Sequence, residues 1–149
     1  MATKKHNLSQ FDSPLPSAAE MRFGIVVAEW NREVTEALLE GAVRTLRAAG
    51  CPDLNIQIKY VPIQGDTRHF DFICQGVTQG ITQLQIQWNM PIAFGVLTVN
   101  DMQQALDRCG GRHGNKGDEA AATAINMVKL QIDMEAASPD HEPDRRNIN

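Results

Sequence analysis

The sequence predicts an α/β fold built on a short parallel sheet. Three apolar runs suited to strands, Phe23–Ala28, Asn55–Val61 and Pro91–Leu97, are each followed by a segment with helical character, and no repeat of fixed period competes with that order. Strand then helix, three times over, is the pattern of a parallel sheet with right-handed crossovers. At 149 residues, 42% hydrophobic and 21% charged, the chain has the composition of one globular domain. Such a length can bury a core without disulfides or metals.

The elements follow in order. Residues 1–20 carry Ser, Pro, Asn and Lys without periodicity and read as a disordered tail, leaving residues 21–135 as the α/β domain. Phe23–Ala28 (FGIVVA) is continuously apolar, which suits a strand buried on both faces. Asn31 then offers an N-cap, and Val34, Leu38, Ala42 and Leu46 recur at helical spacing until Gly50 stops the helix. Asn55–Val61 alternates Ile56, Ile58 and Tyr60 with Gln57 and Lys59, as a strand does with one side more exposed, and Pro62 ends it. Phe70–Asn89 reads as helix despite Gly76 and Gly80. Pro91–Leu97 (PIAFGVL) is expected as another buried strand, followed by a helix capped by Thr98 or Asn100, ending near Cys109 and stopped by Gly110 and Gly111. Ala121, Ile125, Val128 and Ile132 mark a final helix, and residues 136–149 read as a second disordered tail.

Charge and cysteine use narrow the function. Eighteen acids against 14 Lys and Arg give a net charge of −4, with no Lys/Arg cluster longer than two residues, so a nucleic acid partner is not expected. No apolar stretch approaches the ~18 residues of a membrane span, and Met1–Gln10 lacks the apolar core of a secretory signal, so a cytoplasmic protein without membrane attachment is expected. Cys51, Cys74 and Cys109 are odd in number and widely spaced, which fits free buried thiols better than a disulfide framework or a metal site.

Ligands of doubly wound sheets bind beyond the carboxyl ends of the strands, so three loops hold the candidates. Trp30 directly follows the first strand, where it can stack on a planar ligand or simply cover the helix start. Gly65-Asp66-Thr67 precedes a helix and can offer backbone N–H groups, a helix dipole and a hydroxyl to an anion. His69 lies one turn further on, placed either to transfer protons at neutral pH or merely to pack on the helix. The run Gly110-Gly111-Arg112-His113-Gly114-Asn115-Lys116-Gly117-Asp118-Glu119 is no Walker A motif, because it has Asn-Lys-Gly in place of Gly-Lys-Ser/Thr. Its cations, with Arg108, suffice to bind one small phosphate, although a solvated turn between helices explains the glycines equally well.

Four ordered blocks of this sequence together resemble lumazine synthases. They are Ala28-Glu29-Trp30-Asn31, Gly65-Asp66-Thr67-Arg68-His69-Phe70-Asp71-Phe72, Phe94-Gly95-Val96-Leu97-Thr98 and Gly114-Asn115-Lys116-Gly117-Asp118-Glu119-Ala120-Ala121. The resemblance implies a flavodoxin-like three-layer sandwich. It also implies condensation of 5-amino-6-ribitylaminouracil with 3,4-dihydroxy-2-butanone 4-phosphate to 6,7-dimethyl-8-ribityllumazine, with loss of phosphate and water and with no metal or cofactor. By the same resemblance Trp30, with Asn31 beside it, would stack on the pyrimidine ring, and Phe94 would line the pocket. Gly65, Asp66 and Thr67 would shape the phosphate site, Arg108 would pair with the phosphate, and His69 would move protons. His113, Lys116 and Glu119 would support the site. Pockets of this family lie between subunits of a homo-pentamer, and some members close pentamers into icosahedral shells.

One departure is large. In the family the second strand runs into a Pro-Gly-x-Phe-Glu turn, a helix and a further strand before the Gly-x-Thr-x-His loop, whereas here Pro62 joins directly to Ile63. One strand and one helix of the family, roughly 25 to 35 residues by ordinary element lengths, are absent. Either the chain is a shortened product or it folds with an altered sheet. The alternative function is a catalytically inactive relative that binds flavin-like ligands or only assembles.

Overall fold

The computed structural model describes residues 14–62 and 69–137, with His69 and Phe70 described by backbone alone. The element order is β1 (Phe23–Ala28), α1 (Arg32–Ala48), β2 (Ile56–Val61), α2 (His69–Trp88), α3 (Met102–Leu106), β3 (Cys109–Gly111), β4 (Gly114–Asn115) and α4 (Lys116–Ala136). This is an α/β fold of flavodoxin-like kind with a short parallel sheet.

β1 and β2 pair in parallel, Phe23 opposite Ile56 through Ala28 opposite Val61, so β1–α1–β2 is one complete strand–helix–strand unit. Because side chains alternate along a strand, Phe23, Ile25 and Ile56 share one face. They pack there against Ala42 and Leu46 of α1 and Ala121 and Ile125 of α4, and Leu46 and Ile125 are almost wholly enclosed. The helices dock on that face because each presents its apolar stripe at i, i+4 spacing. In a stretch read as tail, Leu15 packs against this core and Ala18 is fully buried, its N–H donating to Ala49 O at 2.8 Å. Residues 1–13 of that expected tail, and all but the start of the expected 136–149 tail, lie outside the described residues.

Several expectations need correction. β1 is not buried on both faces: Val26 is 71% exposed, because it points to the face opposite α1 and α4, which no element covers among the described residues. Pro91–Leu97 has no ladder partner among the described residues and is not a strand. It nevertheless keeps the two-residue alternation of an extended chain, Gly95 and Leu97 half-buried and Phe94 and Val96 exposed, and Ile92 O accepts from Gln85 Nε2 at 2.7 Å. Asn31 does not cap α1 with its side chain but sits in the left-handed region (φ 51°, ψ 56°), which asparagine tolerates better than most residues. The helix after Pro91–Leu97 is shorter than expected, capped by Asp101 rather than Thr98 or Asn100: the Asp101 carboxylate accepts from Gln104 N at 2.8 Å. Gly110 and Gly111 do not stop that helix but lie in β3, which pairs antiparallel with β4. Cys51 and Cys109 are buried free thiols, whereas Cys74 on α2 is only half-buried.

Candidate active site

The run 114–119, ambiguous in sequence, resolves into two faces of one helix start. On one face Gly117, Asp118, Ala121, Ala122 and Ile125 are buried, the first two against α1. The approach is close: a Cβ on Gly117 would lie 1.9 Å from Leu38 O, so no larger residue fits. Asp118 is held from α1 by Arg44, whose Nη2 donates to both carboxylate oxygens at 2.9 Å, and by Thr45 Oγ1 at 3.0 Å. Asn115 caps the helix, its Oδ1 accepting from Gly117 N at 2.8 Å.

The other face, Lys116, Glu119, Ala120 and Thr123, follows the i, i+3, i+4, i+7 spacing of one helix side and lines a pocket of about 300 Å³. The opposite wall is the unpartnered segment from Ala93 to Val99, including Phe94, and Arg108 completes the lining. Gly95 comes so close to α4 that a Cβ there would be 3.2 Å from that of Ala120. Arg108 is oriented by a bond from its Nη1 to Gln104 O at 3.0 Å, and Lys116 N–H donates to Arg108 O at 2.8 Å, so the backbone ties the two cations together.

Electrostatically the pocket holds two cations and one anion beside a helix N-terminus. Lys116 Nζ donates to Glu119 Oε2 at 2.6 Å, with side chains 27% and 19% exposed, while Glu119 Oε1 is buried without a hydrogen-bond partner among the described residues. The positive end of the 21-residue α4 adds a partial charge that favours an anion. Cys109, next to Arg108 but buried in the core, has its thiol pushed above the usual range by that burial, which makes it a packing group and no nucleophile at neutral pH.

Four residues expected at the site, Phe94, Arg108, Lys116 and Glu119, therefore meet in one pocket. Trp30 and Asn31, in the turn between β1 and α1, and His113, in the β3–β4 turn with its N–H on Asp107 O at 2.8 Å, are not among its lining residues. His69 is the first residue of α2, and its side chain, like all of Gly65, Asp66 and Thr67, lies outside the described residues. Sequence reasoning missed Ala120 and Thr123, which a helical wheel begun at Lys116 would have placed beside Glu119. It also missed the anchoring of Asp118 by Arg44 and Thr45, for which no local signal exists.

Comparison with known proteins adds the decisive observation. The model of the 6,7-dimethyl-8-ribityllumazine synthase family matches residues 20–62 and 63–131. The chain belongs to this family. A 6,7-dimethyl-8-ribityllumazine synthase of Parabacteroides distasonis is 48% identical over 158 aligned positions, covering 87% of this chain and 99% of the relative. Similar proteins of the same name from Phocaeicola vulgatus (46%, covering 88% of this chain and 95% of the relative) and Flavobacterium johnsoniae (42%, covering 96% and 90%) agree. The two matched family blocks meet at Pro62 and Ile63 with no residue between them. The alignment to the first relative is 158 positions long, whereas 87% of 149 residues is about 130, which leaves about 28 positions the chain does not fill.

Proposed function

We propose that this chain is a 6,7-dimethyl-8-ribityllumazine synthase of riboflavin biosynthesis, a transferase that condenses 5-amino-6-ribitylaminouracil with 3,4-dihydroxy-2-butanone 4-phosphate. The observation that carries the reading is the convergence of Arg108 and Lys116 on a pocket walled by Phe94, in a chain up to 48% identical to proteins of that name. A guanidinium, an ammonium and a helix N-terminus form a site for a phosphate monoester, and an aromatic wall suits a planar ring. In this reading Arg108 holds the phosphate and Lys116, tethered by Glu119, adds the second charge, while Gly65, Asp66 and Thr67 supply further donors. Trp30 stacks on the pyrimidine with Asn31 beside it, and His113 supports the loop. The uracil's amine attacks the ketone and water leaves. His69 takes and returns the protons that this step and the loss of phosphate require. No metal or cofactor takes part. The working form is a cytoplasmic homo-oligomer, a pentamer or a shell of pentamers, whose neighbouring subunit closes the pocket.

A second reading, a relative that binds flavin-like ligands or assembles without turnover, is favoured by the direct junction of the two matched blocks at Pro62 and Ile63 and by the about 28 alignment positions that the chain leaves unfilled. A steady-state assay with both substrates on the purified chain separates the two. Lumazine formation that saturates in both substrates establishes the first, and ligand binding with no product establishes the second.

A further inference from the structure

The pocket face of α4 is useful only if the helix is held at one rotation about its axis. We propose that Asn115 is the positioning residue that sets this rotation and that Gly41, in the middle of α1, is the seat that admits it. The consequence for phosphate rests on the anion-pocket reading above, but the geometry does not.

The Asn115 amide joins three elements. Its Oδ1 accepts from Gly117 N in α4 at 2.8 Å, while its Nδ2 donates to Ala37 O in α1 at 2.8 Å and to Cys109 O in β3 at 3.3 Å. It therefore lies between the two pocket cations in the chain, with Lys116 next to Asn115 itself and Arg108 next to Cys109. The backbone bond from Lys116 N to Arg108 O runs alongside. Rotating α4 would break the cap and the tie to Ala37 together, and would swing Lys116 and Glu119 out of the pocket.

Gly41 lies one turn beyond Ala37 on the same side of α1. A Cβ there would be 2.6 Å from Asn115 Cγ and Oδ1 and 2.7 Å from Nδ2, so the amide rests directly on the α1 backbone. Alanine is the better helix former. The glycine is thus explained by the space it leaves. A buried position on α1 that lines no part of the pocket controls the pocket through one side chain.

The test uses the full chain, with lysine Nζ signals read by NMR, Lys116 assigned by its loss in Lys116→Gln, and inorganic phosphate titrated by calorimetry. Asn115→Ser keeps a capping oxygen but cannot reach Ala37 O or Cys109 O, whereas Gly41→Ala keeps Asn115 and fills its seat. Both are expected to retain the helical circular dichroism, to shift the Lys116 resonance while those of Lys59 and Lys129 stay, and to weaken phosphate about tenfold, the equivalent of one displaced charge contact. The double variant should be no weaker than either single one, because serine leaves room for the new methyl. An unmoved Lys116 resonance in folded variants, or fully additive losses, overturns the proposal. Failure of the parent chain to bind phosphate while the Lys116 shifts persist overturns the anion pocket and leaves the role of Asn115 standing. Should Asn115→Ser not fold, Gly41→Ala alone decides, by the Lys116 resonance and the phosphate affinity.

Discussion

Arg44 on α1 places one guanidinium nitrogen 2.9 Å from both carboxylate oxygens of Asp118 on α4, across 74 residues of sequence. The two ends of this pair are unequal. Arg44 is 61% exposed, whereas Asp118 is 13% exposed and also accepts from Thr45. Removing the exposed cation, by Arg44→Ala, is expected to cost at most about 1 kcal/mol. Removing the buried hub, by Asp118→Ala, leaves the Thr45 hydroxyl unpaired and should cost about 2–3 kcal/mol. Urea unfolding of both variants checks the order. Equal losses would show that the pair itself, rather than the buried hub, holds α4.

The α1–α4 seam leaves no room at Gly117, where a Cβ would stand 1.9 Å from a backbone oxygen that cannot rotate away. Gly117→Ala should therefore destabilise by about 3 kcal/mol or more, even though alanine favours helix. Thermal unfolding followed at 222 nm measures it. A neutral or stabilising result would mean that the helices can separate without loss.

Arg108→Ala is expected to weaken capture of the phosphate-bearing substrate by about tenfold to a hundredfold, since a charge-assisted contact is lost, while leaving the uracil substrate's affinity nearly unchanged. Separate titrations of the two substrates decide it. Equal weakening would assign Arg108 to support of the α3–β3 connection instead.

On the proposed reading, His69→Ala should slow lumazine formation by about 10²- to 10⁴-fold, the range of a lost general acid–base group, without changing the chain's sedimentation. An unchanged turnover number would remove His69 from the reaction.

Thiol chemistry gives a pH-dependent prediction. Burial is the main cause that raises the Cys51 and Cys109 thiols above their ordinary range. Since each folded-state value lies above the unfolded one, the neutral thiol's contribution to stability is complete below the unfolded pKa and is lost as pH rises through the folded pKa. The chain should accordingly lose stability above about pH 8.5, the ordinary thiol value, and the thiol share of this loss should vanish in a Cys51→Ala, Cys109→Ala double variant, leaving that of Tyr60, which is also shifted upward. Under native conditions at pH 8 a thiol reagent should modify Cys74 first.

How much of this was legible in the sequence differs by element. The helices α1 and α4 were readable because their apolar stripes repeat at 3.6 residues and each buries that stripe against the other. Pro91–Leu97 was misread because pairing is not a local property. PIAFGVL has strand composition, but a strand also needs a neighbour, and β1 already has β2 on one edge with none on the other among the described residues. At the site, Arg108 and Lys116 stand out beside and within the glycine-rich run by their charge, whereas Phe94 and Glu119 come only from the resemblance to the family. That Asn115 and Asp118 face α1 while Lys116 and Glu119 face the pocket depends on the helix phase, which the glycine-rich run does not declare.

The junction at Pro62 and Ile63 bears on the entropy of closing the chain. Arg44 and Asp118 bracket it, so the loop that must close before α1 meets α4 spans 74 residues here, and about 28 more in the relatives. Closure entropy grows only with the logarithm of loop length, so the shorter loop eases that meeting by about 0.3 kcal/mol. This is less than the burial of one methylene. The docking of α1 on α4 is therefore nearly indifferent to the shortening. The consequences fall on β1: among the described residues its second edge has no strand beside it, and an open edge of this kind is expected to pair with another chain as concentration rises.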